Sequence, residues 1–117
     1  MSTAGKGRLT THVLDTSTGK PAANLAITLE KEVVGEFIAF GSGVTNDDGR
    51  VSKPLVESGW GAGVYRITFD TASYFAAQGK KAFYPVVKVV FEVTEPEGHH
   101  HVPLLLSPFG YSTYRGS

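Results

Sequence analysis

The sequence predicts an all-β protein, a two-sheet β-sandwich of seven to eight short strands with one short helix. Three observations carry this. Apolar and polar residues alternate over short runs, as in Val64-Tyr65-Arg66-Ile67-Thr68-Phe69, which is the period of a strand with one buried face. Turn formers cluster between these runs at regular intervals. A single stretch, Asp70 to Gly79, breaks the alternation.

The elements follow in order. From Gly7 to Leu14, Leu9, Thr11 and Val13 face one way, and Thr10, His12 and Leu14 the other. The segment Asp15 to Pro21 is crowded with turn residues. Leu25, Ile27 and Leu29 then alternate with Ala26, Thr28 and Glu30. Glu36 to Ser42, with Phe37, Ile38 and Phe40, reads as another strand. Thr45 to Arg50 is a turn with Asp48-Gly49 at its tip. In the strand Val64 to Phe69, Tyr65, Ile67 and Phe69 share one face. Asp70 to Gly79 reads as a short helix, with Asp70 or Thr71 as its cap and Gly79 closing its end. Val86 to Val93 is nearly continuous in β-branched residues, which predicts burial on both faces. Pro96-Glu97-Gly98 is the next turn.

The 117 residues fit one domain, 1–117, with residues 1–6 expected to be flexible. A chain near this size buries roughly two-thirds of its unfolded surface, enough for one core. Eleven Lys and Arg balance eleven Asp and Glu, so no basic excess points to nucleic acid or to an anionic membrane. The sequence has no cysteine, which excludes disulfides, cysteine zinc sites and thiol catalysis. MSTAGKGRLTT lacks the apolar core of a signal peptide, and no apolar run approaches the roughly 20 residues of a membrane helix. The expectation is a soluble, cytoplasmic protein.

Chemistry concentrates in four histidines, His12, His99, His100 and His101. On a strand, His99 and His101 share a face and His100 points away. His99, His101 and His12 would be the candidates for a metal site, but no recognisable ligand spacing is present and no metal is expected. Arg50, Asp47 and Asp48 read by themselves as solvated turn residues. Ser107, Ser112 and Ser117 lack a Gly-x-Ser-x-Gly elbow, and Gly41-Ser42-Gly43 is too short for a phosphate loop. Leu104, Leu105, Leu106, Phe109, Tyr111 and Tyr114 make the last segment too apolar for a free tail. It either completes the core or sits in a subunit interface.

Three stretches, LTTHVLDTSTGKPA from Leu9, DDGR from Asp47 and HVPLLLSPFGYSTYRGS from His101, resemble the 5-hydroxyisourate hydrolases, the transthyretin-like proteins of purine breakdown. The resemblance runs from Leu9 to Ser117. Its most specific part is Tyr114-Arg115-Gly116-Ser117, which in that family separates the hydrolases from transthyretin proper, the thyroid-hormone carrier. The family pattern falls on His12, Arg50, His101 and Tyr114. His99 and His100 match no catalytic position as clearly. Val86 stands where relatives often have a carboxylate.

The resemblance implies a transthyretin-like sandwich assembled as a homotetramer, a dimer of dimers with active sites in the channel between dimers. It implies hydrolysis of 5-hydroxyisourate to 2-oxo-4-hydroxy-4-carboxy-5-ureidoimidazoline, without metal or cofactor. His12 and His101 would activate water and transfer protons, Arg50 would stabilise the oxyanion and hold the ureide, and Tyr114 would orient the substrate. Arg115 and Ser117 are the further candidates for substrate binding, with an interface ion pair as the other reading of Arg115. The alternatives are a non-enzymatic carrier of a small ligand in the same channel and a metal-binding sandwich.

Overall fold

The computed structural model describes residues 8–52, 55–56 and 60–117. The expectation for residues 1–6 falls outside them. Among the described residues eight strands and one helix occur in the order β1 (Leu9–Asp15), β2 (Lys20–Pro21), β3 (Ala26–Val33), β4 (Glu36–Val44), β5 (Gly63–Phe69), α1 (Thr71–Ala76), β6 (Val87–Val93), β7 (His100–Ser107) and β8 (Gly110–Thr113). They form two four-stranded sheets, β2-β1-β7-β8 and β4-β3-β5-β6. Every pairing is antiparallel except β1 with β7.

The alternations expected for β1, β3 and β5 are those observed. Leu9, Thr11 and Val13 are buried in β1, Ile27 and Leu29 in β3, and Tyr65, Ile67 and Phe69 in β5. Leu104 and Leu106 from β7 meet them, with Trp60 and Phe75 filling the space between the sheets. The last segment is thus a core strand and an edge strand.

The expectation for Val86 to Val93 is corrected. Val87 and Val93 are buried, whereas Lys88, Val90 and Glu92 are exposed. Among the described residues β6 is an edge strand paired only with β5, and one of its faces meets the core. The β-branched run hides a period of two, which the charges at Lys88 and Glu92 reveal once pairing is known.

Helix α1 is bounded as its ends predict. The Asp70 carboxylate accepts from Ser73 N at 3.2 Å. Gly79 N donates to Ala76 O at 3.0 Å and Lys80 N to Phe75 O at 2.9 Å, with Gly79 at φ +70°. This is a Schellman closure, in which glycine meets no Cβ penalty. Tyr74 of α1 donates from its hydroxyl to Asp15 Oδ2 at 2.8 Å, tying the helix to the end of β1.

Candidate active site

The parallel pairing of β1 and β7 builds the site. Its register sets Thr10 beside His101 and His12 beside Pro103. Because paired residues project on one side of a sheet, the half-exposed row of Thr10 and His12 meets the half-exposed His101. His12 and His101 become diagonal neighbours on the outer face of their sheet. His100 lies on the inner face, buried edge-on against Trp60 with ring centroids 5.2 Å apart, its Nδ1 3.1 Å from Gly98 O. It is a core histidine.

Arg50 reaches the same face through a turn organised by Asn46. The Asn46 Oδ1 accepts from Asp48 N at 2.9 Å and from Arg50 N at 3.1 Å, and Asn46 N donates to Arg50 O at 2.7 Å. The turn docks on β1 where Val13 N donates to Gly49 O at 2.9 Å, and His12 forms a β-bridge with Arg50. A Cβ on Gly49 would overlap the Val13 carbonyl, and Gly49 has φ +74°. Only glycine lets Arg50 come this close to His12.

Two contacts hold His101. Thr10 Oγ1 lies 2.8 Å from His101 Nδ1 and 2.8 Å from His99 Nε2, hydrogen-bonded to both. The two rings stand 6.1 Å apart. Gly116 N donates to His101 O at 2.8 Å, and a Cβ on Gly116 would overlap the His101 ring. The tail therefore lies against His101, and glycine is the residue that allows it. Burial and then the Arg50 guanidinium hold His101 below the usual imidazole range. A hydrogen bond with the Thr10 backbone opposes them, while His99 and His12 add to the depression.

The register that pairs Leu104 with Thr113 and Gly116 with His101 sets Tyr114 opposite Pro103. Tyr114 and Arg115, with His101 and with Val90 and Phe91 of β6, line a cavity of about 210 Å³ between the two sheet edges. Tyr114, Arg115 and Ser117 are not hydrogen-bonded to His12, Arg50 or His101 among the described residues. Tyr114, Arg115 and Ser117 are exposed. The structure thus brings His12, Arg50 and His101 together and sets Tyr114 and Arg115 at the border of that group. Asp47 and Asp48 are exposed turn residues, and the Ser107 hydroxyl closes the β7–β8 turn by accepting from Gly110 N at 3.1 Å. Among the described residues no three His, Cys, Asp or Glu side chains are grouped to hold a metal.

Sequence reasoning missed Thr10, Asn46 and Gly116. The signal available for Thr10 was its place two residues before His12 on the same face.

The chain matches the HIUase/Transthyretin family over residues 9–116. It belongs to that family. It is 47% identical over 116 residues to 5-hydroxyisourate hydrolase 2 of Rhizobium meliloti, spanning 95% of this chain and 97% of that protein. The solved structure of Klebsiella pneumoniae 5-hydroxyisourate hydrolase superposes with a TM-score of 0.83 at 37% identity, covering 95% of this chain and 99% of that one. Sea bream transthyretin in complex with thyroxine superposes with a TM-score of 0.86 at 37% identity, covering 92% and 93%. The HIUase/Transthyretin fold thus serves both a hydrolase and a hormone complex, and the difference must lie in the residues of the site.

Proposed function

We propose that the chain hydrolyses 5-hydroxyisourate by adding water to a ring amide on the face that carries His12, Arg50 and His101. The observation behind this is the convergence of those three side chains from three distant segments onto one open face. The activity named for the relative in Rhizobium meliloti supports the substrate. His101, held neutral at neutral pH by burial and by Arg50, acts as the general base on water. Arg50 offers planar donors to the developing oxyanion and to the ureide edge. His12 exchanges the proton with the departing nitrogen. Tyr114 orients the substrate, and Arg115 and Ser117 extend its binding surface. The reaction so written uses neither a metal nor a cofactor, and its product is 2-oxo-4-hydroxy-4-carboxy-5-ureidoimidazoline.

The proposal includes the homotetramer, a dimer of dimers whose channel encloses these faces. Edge strands β6 and β8 each pair on one side only. Phe83 is 72% and Phe109 81% exposed in the single chain, an apolar surface that association would cover. Among the described residues no helix is long and apolar enough to cross a membrane, and the proposed setting is the cytoplasm.

The test generates 5-hydroxyisourate in situ from urate and follows its ultraviolet decay with and without the protein, one arm containing a chelator. Acceleration that survives chelation is expected. Decay at the background rate would favour the carrier, a reading kept open by the thyroxine complex of the sea bream neighbour.

A further inference from the structure

A hydroxyl has one proton to give, and Thr10 Oγ1 sits 2.8 Å from each of two ring nitrogens. It cannot donate to both. It can donate to one histidine and accept from the other, or accept from both and give its proton elsewhere, which leaves Nδ1 of His101 protonated. Two arrangements pass the hydroxyl proton between the rings. In the first, His101 Nδ1–H donates to Thr10 and Thr10 O–H donates to His99 Nε2. In the second, both bonds run in the opposite direction. They leave opposite tautomers on His101, and so opposite chemistry at its Nε2, the nitrogen not engaged by Thr10.

The geometry points to the first arrangement, in which Thr10 is a positioning residue that keeps the proton of His101 on Nδ1, with His99 receiving the Thr10 proton and thereby fixing its direction. The inference rests on the hydrolase reading above and names what makes His101 a base there. A base needs its lone pair on the nitrogen that meets water. Nδ1 is taken by Thr10. The lone pair therefore has to be at Nε2, and the proton at Nδ1. His99 thereby acquires a role without touching the substrate.

The decisive experiment is imidazole ¹⁵N NMR of the whole protein at a pH where the rings are neutral, with His101 assigned from a His101→Asn spectrum. The expected result is a protonated Nδ1 and an unprotonated Nε2 on His101. A proton on Nε2 in the wild type would overturn the inference outright. Thr10→Val, close to isosteric, should release the proton to redistribute toward Nε2. It should also lower kcat roughly 10- to 100-fold, less than the roughly 10²–10⁴-fold that a positioned base supplies in full, with KM little changed. Thr10→Ser should restore both the tautomer and kcat. His99→Ala should give a mixed tautomer and a smaller loss. If Thr10→Val keeps both the wild-type tautomer and the wild-type kcat, Thr10 positions nothing. Absence of turnover by the wild type would instead remove the hydrolase reading, and the tautomer would still decide what Thr10 does to His101.

Discussion

Removing the Arg50 guanidinium should change turnover in two separable ways. Loss of an oxyanion donor typically costs about 10²–10³-fold in rate, and Arg50→Ala is expected to fall in that range. Arg50 is also, after burial, a cause of the lowered His101 pKa. A base works when neutral, so turnover should fall as pH drops through the His101 pKa, which lies below its ordinary 6.5. In Arg50→Ala that acid limb should move to higher pH. A pH–rate profile with an unmoved limb would mean that the Arg50 charge does not reach His101. The depression also bears on stability. Unfolded His101 takes its proton first, so its contribution is present above about 6.5 and lost as pH falls through the folded value. His12, Arg50 and His101 were legible in the sequence because each stands in a stretch that resembles a known family. The alternation alone set His99 and His101 on one face and His100 on the other. For Thr10 the sequence offered only its face, shared with His12, since its hydroxyl acquires a partner from a histidine 91 residues away. Gly116 enters the sequence reading only as part of the terminal tetrapeptide, and its close approach to the His101 ring is visible only in the structure.

The β3–β4 hairpin carries strain that its sequence does not announce. Val34 has φ +51° and Gly35 φ +79°, and Val34 is 98% exposed. A two-residue hairpin loop with two positive φ values favours Asn-Gly or Asp-Gly. A β-branched residue there bears roughly 1–2 kcal/mol of left-handed strain with no burial to offset it. Val34→Asn should therefore stabilise the protein by about 0.5–1 kcal/mol, read as a higher urea midpoint with unchanged slope. An equal or lower midpoint would mean that the strained turn is not limiting. Other elements were easier to read. The Asp70 cap and the Gly79 closure need only local sequence, and both bound α1 as expected. β6 was misjudged because burial of a strand depends on its neighbours in the sheet, and its run of valines says nothing of them.

Across the molecule, one hydrogen bond ties the two halves of the sandwich to both ends of the pH scale. Asp15 closes β1, and Tyr74 belongs to the helix that follows β5. Burial pushes the Asp15 carboxyl up, but hydrogen bonds from Ser17 and Tyr74, with the charge of Lys80, bring it below 3.8. Burial and then the Asp15 hydrogen bond push the Tyr74 hydroxyl up to about 12. The Asp15 contribution is present above its unfolded pKa and lost as pH falls through the folded value. The Tyr74 contribution is present below about 10 and lost as pH rises through about 12. Tyr74→Phe should cost about 1–3 kcal/mol near neutrality, as a buried charged acceptor loses a partner. It should also flatten both limbs of a stability–pH curve measured by urea denaturation. A variant with the wild-type curve would mean that the Tyr74–Asp15 bond shapes neither limb.

The seam that carries the histidines also governs when the protein can work. β1 and β7 pair in parallel at a sequence separation of 91, the kind of distant contact whose closure entropy slows assembly. The hairpins β3–β4 and β7–β8 can form from neighbouring sequence. His12 and His101 meet only when the first strand finds the seventh. During refolding, turnover therefore cannot return before the two ends of the domain have met, and secondary structure measured alone would run ahead of it.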